Sequence, residues 1–354
     1  MTQLSLAASN SDLAAEEGKT RPRDWSPANY DLRDAWFPVI FSRLVTRTPT
    51  RRIIHSQPYY LWRDPSQHGG RAQAAEFHPE LLGRLRAQAS AFTGGSGIYP
   101  TVERYGYVWA WYGNPDHANP ELIPNIPFLP VDGKNIPVHM QRTARFDASS
   151  PLSVENLIDL THADFLHADT IGDGLSASDI VECEWTSETV TRTRIVAQKS
   201  VAPVMRWIGG VRAKYQDLRA VLHVHVRSGV TISYPRFRPG HDIPNVQPFL
   251  PVGRFRSRVD VTQYAITAPF IFRMMMPRIA YLIQPQDNSV VRPQTERYID
   301  DGERRDLHSR FDKPGFRYRH LLEQLAERQR NGDYSYLNDA EPGRDISQLL
   351  GMDR

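Results

Sequence analysis

Between residues 179 and 266 the chain repeats one pattern: an alternating run, a turn, and another alternating run. DIVECEWT, ETVTRTRIVA, AVLHVHVR, VTISYPRF and RSRVDVTQYAI are rich in β-branched and aromatic residues. Alternation in several of them predicts an antiparallel sheet with one face covered, because successive side chains of a strand point to opposite faces. VHMQRTARF, just before, reads as one more strand. Two helical patterns accompany the sheet. VENLIDLTHADFLHADT, residues 154–170, reads as a helix with an interruption, and GFRYRHLLEQLAERQR, residues 315–330, places Leu321, Leu322 and Leu325 on one side.

The first part of the chain is built differently. From Ala35 to about Asn114 it shows short strand signals, WFPVIFS, RRIIHS, PYYLWRD and YGYVWAWYG, bounded by turn residues. Between them HPELLGRLRAQASAF, residues 78–92, has helical spacing, and TGGSG, residues 93–97, is loop chemistry. Residues 114–137 are proline-rich and read as an extended linker between two domains. A length of 354 residues accommodates two domains, and 40% hydrophobic content is that of a globular chain. The expectation is an α+β protein with residues 1–24 as a flexible tail, 25–137 as a β domain with its linker, and 138–354 as a second domain closed by a helix.

Several functions are excluded early. The 43 basic and 40 acidic residues are interspersed, which argues against a nucleic-acid surface. The most apolar stretch, AITAPFIFRMMMPRIAYLI at 265–283, is interrupted by Pro269, Arg273, Pro277 and Arg278, so no membrane span is expected. Acidic Asp12, Glu16 and Glu17 are unlike a targeting peptide. Cys183 is the only cysteine, which rules out a disulfide framework within the chain and any site needing several thiolates. The reducing cytoplasm is the expected location.

The stretch at 154–170 carries the chemistry. Two imidazoles and a carboxylate on one face of an iron(II) ion leave other positions open for O₂ and substrate. His162 and His167 are five apart, about 140° around an unbroken helix. They converge on one ion only if the helix ends or bulges between them, near Ala163–Phe165. Asp159, three residues before His162, is placed to accept a hydrogen bond from a non-ligating imidazole nitrogen. His223 and His225 share a strand face with no carboxylate placed beside them and read as structural.

Asn156, Asp159, His162 and His167 stand at the spacing E/N-x-x-D-x-x-H-x-x-x-x-H, and the pattern resembles the iron site of the Rieske non-haem iron oxygenase α subunits. WFPVIFSRLV, YYLWRD, VERYGYVWAWYGNPDHANPELIPNIP and RFDKPGFRYRHLLEQL also resemble segments of that family, in the right order. The likeness is to members of the aminopyrrolnitrin N-oxygenase and vanillate O-demethylase type, over roughly residues 35–330. It implies a Rieske-like β domain followed by an antiparallel-sheet, helix-grip (START-like) catalytic domain. It implies Fe(II) held by His162, His167 and an aspartate from QPQDNSVVRPQTER, taken as Asp287, with Asp300 and Asp301 as rivals. Asn156 and Asp159 take catalytic roles by the same resemblance, Asp159 on the route of electrons. A trimer is the implied assembly.

One departure decides the mechanism. Family members carry C-x-H and C-x-x-H for a [2Fe–2S] cluster, in the interval where this chain has His68 and His78 and no cysteine. The N-terminal domain is therefore expected to be degenerate and without a cluster, so electrons must come from a separate Rieske, ferredoxin or reductase-borne centre. Three readings follow: an oxygenase fed by that partner, a non-catalytic or regulatory subunit beside a complete oxygenase, and Fe(II)/O₂ chemistry needing no external reductant. The substrate is expected to be a small aromatic or alicyclic molecule, hydroxylated, demethylated or N-oxidised. Candidate pocket residues are Phe165, Leu166, Met205, Trp207 and Met275, although most of the methionine-rich run at 274–276 suits core filling.

Overall fold

The computed structural model describes residues 30–63, 71–76, 98–134, 140–172, 179–263, 267–300, 309, 311–337 and 342–352. The expected tail at 1–24, the helix at 78–92, the loop at 93–97 and both His68 and His78 lie outside the described residues.

Fourteen strands occur among the described residues. In chain order they are β1 (Ala35–Phe41), β2 (Thr50–Ile54), β3 (Gln57–Arg63), β4 (Ala72–Ala75), β5 (Ile98–Tyr99), β6 (Thr101–Arg104), β7 (Tyr107–Tyr112), β8 (Met140–Phe146), β9 (Ile180–Trp185), β10 (Thr189–Ser200), β11 (Tyr215–His225), β12 (Val230–Arg238), β13 (Asn245–Gly253) and β14 (Arg256–Gln263). They form an N-terminal three-stranded sheet, β1-β7-β6, and a four-stranded sheet, β2-β3-β4-β5. The third is a seven-stranded antiparallel sheet in the order β8-β14-β13-β12-β11-β10-β9. The helices are α1 (Ser150–Ile158), α2 (His162–Leu166), α3 (Pro203–Trp207), α4 (Phe270–Asp300), α5 (Lys313–Arg330) and α6 (Ser347–Leu350). The architecture is α+β, as the strand and helix patterns predict.

The large sheet is covered on both faces, not one. Leu222, Val224, Phe249 and Val259 pack on α1, on Val291 of α4 and on Leu321, Leu322 and Leu325 of α5. The opposite face, through Val221, Val230, Ile232, Tyr234 and Val246, packs on Trp36, Tyr107, Trp109 and Trp111 of the N-terminal sheet. Polar residues that alternation assigns to solvent are buried and bonded instead: Thr191 Oγ1 lies 2.8 Å from His223 Nδ1, and Thr231 donates to Gln247 O at 2.6 Å. Burial drops the pKa of His223 to about 4 and that of His225 well below its usual range, so both stay neutral structural groups.

The proline-rich segment is not an extended linker. Its two Asn-Pro pairs open 3-10 turns at Pro115–His117 and Pro120–Leu122, where the Asn114 and Asn119 side chains accept from the Asp116 and Glu121 amides. Ile123, Ile126, Phe128 and Leu129 then enter the core between the N-terminal sheet and the large one. Asparagine capping and buried apolar residues turn a composition typical of linkers into a packed corner.

Besides the short β4, α3 and α6, two longer elements are not legible in the sequence. β13, NVQPFLPVG, carries Pro248 and Pro251, and α4 runs 31 residues through Pro277, Pro285 and Pro293. Each proline removes a helical N–H and crowds the preceding turn. Pro285 and Pro293 sit on exposed positions, the side toward which a long helix bows, while Phe272, Met276 and Val291 on the other side are buried.

Candidate metal centre

The interruption in the helical stretch falls at residues 159–161, between α1 and α2, earlier than the Ala163–Phe165 expected from the histidine spacing. α1 begins at an N-cap, Ser149 accepting from the Leu152 amide, and ends at Asp159. α2 holds only five residues. His162 is its first and His167 its C-cap, with φ −115° and ψ 29°. The helix thus ends just where the second imidazole must swing back. The ring centroids come to 5.3 Å with the planes at 79°.

Asp287, midway along α4, meets them. Its Oδ1 lies 3.3 Å from His162 Nε2 and 3.1 Å from His167 Nε2. Asn156, one turn before the end of α1, donates to the same oxygen from Nδ2 at 3.1 Å. Ligating atoms of the three residues all lie within 4.8 Å of one another. Two donors on adjacent octahedral positions, each roughly 2.1 Å from an ion, stand about 3 Å apart. The two imidazole–carboxylate separations are of that size.

The tautomers are fixed from behind. His162 Nδ1 donates to the backbone carbonyl of Asp159, and His167 Nδ1 lies 2.8 Å from Gln286 Oε1. With the proton drawn to Nδ1, the Nε2 of each neutral ring turns a lone pair toward a carboxylate oxygen. Three electron-rich atoms converging in this way call for a cation among them. Electrostatics follow suit. Burial opposes ionisation of Asp287, but rings that carry a second proton, at Nε2, outweigh it through their hydrogen bonds and charge and hold the carboxyl at a pKa of about 2, the proton standing where a cation would. Burial also pulls the pKa of His162 down, and Asp287 pulls it above its ordinary value. Of the rivals for the third position, Asp301 lies outside the described residues and the side chain of Asp300 is likewise undescribed.

Asp159 faces the other way. Its Oδ1 accepts from Thr161 N at 3.0 Å, from the Thr161 hydroxyl and from Arg192 Nη1 at 3.2 Å. Burial favours its neutral form, yet Thr161 and the charges of Arg192 and His162 keep its pKa below the carboxylate norm. It lines a cavity of about 1040 Å³ together with Asn156, His162, Phe165, Leu166, Arg192, Gln294, Tyr298, Phe311 and Phe316. Phe165 and Leu166 are thus brought to the cavity. Met205 is not, being buried with Leu218 and Phe237. Trp207 is 74% exposed, and Met275, half-buried on α4, does not line the cavity.

Gln286, Arg192 and the aromatic pair Phe311 and Phe316 were missed in the sequence. One signal was there: T-R-T-R in β10 sets Arg192 and Arg194 on one face of a strand.

Residues 146–328 match the family described as vanillate O-demethylase oxygenase C-terminal domain. Among curated proteins, the chain is 34% identical over 104 residues to the putative toluene-4-sulfonate monooxygenase system iron-sulfur subunit TsaM2 of Comamonas testosteroni, which is 27% of this chain and 28% of that protein. It is 25% identical over 187 residues to aminopyrrolnitrin oxygenase PrnD of Pseudomonas fluorescens, 42% of this chain and 50% of that one. These matches therefore span about a quarter to a half of the relatives' length. Among solved structures, dicamba monooxygenase bound to dicamba superposes with a TM-score of 0.70 at 16% identity, over 85% of this chain and 99% of the other, a likeness of fold. No helix among the described residues is long and apolar enough to cross a membrane.

Proposed function

The chain belongs to the Rieske non-haem iron oxygenase α-subunit family, and from that membership we propose that it is an O₂-dependent oxidoreductase with mononuclear Fe(II) held by His162, His167 and Asp287. The observation that carries the reading is the convergence of two tautomer-fixed imidazoles and one carboxylate. Iron(II) held there supplies reductive activation of O₂.

The chain's own residues do the rest. Asp159 O and Gln286 Oε1 hold the imidazole protons at Nδ1, and Asn156 fixes the carboxylate. Asp159 lines the cavity and accepts from His162 Nδ1 through its main-chain carbonyl, which suits an electron entry point. Residues 25–137 serve as a degenerate Rieske-like domain and 138–354 as the iron domain. With Cys183 alone, this chain supplies one thiolate where a Rieske cluster takes two. The electrons therefore come from a separate iron–sulfur protein or reductase, acting on a cytoplasmic oligomer that family likeness makes a trimer. Relatives are named for toluene-4-sulfonate, vanillate and aminopyrrolnitrin. An aromatic substrate suits a cavity lined by Phe165, Tyr298, Phe311 and Phe316. The same single cysteine favours one second reading, a subunit that shapes a mixed oligomer with a complete oxygenase.

The test is iron and acid-labile sulfide per chain, on protein purified without oxygen and supplied with Fe(II). Iron near one with no sulfide is expected. Absence of tightly held iron moves the assignment to the subunit reading, and stoichiometric sulfide overturns the cluster-free reading.

A further inference from the structure

α2 presents a mechanical problem. Both of its ends carry an imidazole of the candidate centre, so its orientation alone sets how the two Nε2 atoms face Asp287. Five residues make too short a helix to hold itself, and Thr161 gives it no side-chain cap. Something else must fix it.

What fixes it lies behind the helix. Asp164 is two residues after His162, about 200° around the helix from it, and points away from the ion site into the protein, where it is 3% exposed. Arg194 Nη2 donates to its Oδ2 and Lys199 Nζ to its Oδ1, both from β10. Arg194 also donates through Nη1 to the carbonyl of Leu160 at 3.0 Å, inside the break, and through Nε to Asp179 Oδ2 at 3.1 Å. Arg192, two residues earlier on the same strand, donates to the carbonyl of Ile158 at the end of α1. The strand thus takes up backbone acceptors that the break leaves without helical donors. On another side Gly172 comes so close that a Cβ there would stand 2.2 Å from Ala163 O and 2.7 Å from Asp164 Cα.

We propose that the buried network Asp164–Arg194–Lys199–Asp179 is a positioning device for the metal centre, a strut from β10 that sets the pose of α2 and with it the separation of the His162 and His167 donors. The inference rests on the reading of His162, His167 and Asp287 as metal ligands. Its four side chains are each at most 3% exposed. Burying two cations and two anions is a costly way to attach a helix to a sheet, since apolar contacts do so with less desolvation. Paired charges add what apolar contacts lack, a fixed direction at each end of the contact. None of the four is a ligand, so they act through the histidines rather than on the reacting atoms.

The test pairs two variants with two readouts: thermal midpoint, and affinity for Co(II) as a coloured substitute for Fe(II), with its visible spectrum. The double variant Asp164→Asn/Lys199→Met removes one charge of each sign and leaves Arg194 balanced by Asp179. Asp164→Glu keeps every charge and lengthens the strut by one methylene. Both are expected to unfold within a few degrees of the parent, to bind Co(II) about 10- to 100-fold more weakly and to show a shifted spectrum. If the double variant fails to fold, Asp164→Glu decides alone. Parent-like affinity and spectrum in a folded variant overturn the inference and leave the metal centre standing. A parent chain that binds neither Co(II) nor Fe(II) overturns the metal-centre reading, and the inference with it.

Discussion

The N-terminal sheets and the helix-covered face of the large sheet stand in opposite relation to chemistry. The first region holds a dense apolar core, with Trp36 and Trp111 edge to face at 5.3 Å and Trp109 fully buried, yet the chain offers no pair of thiolates to ligate a cluster there. The second brings His162, His167, Asp287 and Asn156 together at hydrogen-bond distance. Packing and chemistry are separable properties of a fold. The N-terminal region covers an apolar face of the large sheet, and that task needs only apolar residues, aromatic and aliphatic alike. A metal centre depends on individual atoms, and each carries its own consequence when lost.

The contrast is broken most directly at the second region. His162→Ala is expected to take bound iron from near one per chain to near zero after gel filtration. Full retention would remove His162 from the ligand set. Next in size is Trp109→Ala, expected to cost about 3–5 kcal/mol, as buried aromatic truncations do. Because Trp109 shares its core with Val221 and Ile232, unfolding in urea should remain one transition, with iron released in step. Two separate transitions would make the regions independent. Asn156→Ala removes the donor to Asp287 and should weaken Fe(II) binding roughly tenfold, measured by competition with a chelator. Asp159→Asn should leave iron content unchanged while slowing donor-dependent turnover about tenfold or more, ~1.4 kcal/mol in the barrier. Equal turnover would take Asp159 off the electron route. The smallest effect belongs to Cys183→Ser. Burial pushes that thiol up to about 11, so it is no ready thiolate. Iron content and turnover should both stay at the parent's level.

The site was legible where chemistry is written locally. Asn156, Asp159, His162 and His167 lie within a dozen residues, and it is their spacing, through its resemblance to the family's iron site, that marks the stretch. Asp287 is assigned through the resemblance of QPQDNSVVRPQTER to the family pattern, not through anything local. Met205 and Trp207 were misplaced as pocket residues because hydrophobicity alone does not say whether a side chain faces a cavity, the core or solvent. The Asn-Pro corner at 114–129 was misread because proline content hides a capping signal and the buried Ile123 and Ile126 beyond it.

The alternating strands, the donor types, their spacing in the chain and the single thiol are all legible in residue order, since each is composition or depends on neighbours within one turn or one strand. Tertiary structure alone decided that α4 continues through three prolines, that both faces of the large sheet are covered, and that Gln286 and Arg194 stand behind the imidazoles. Those outcomes depend on which surfaces meet across 34 residues of chain for Arg194 and Leu160 and 119 for His167 and Gln286, and only the packed molecule sets the distances on which burial, ion pairing and ligand geometry all turn.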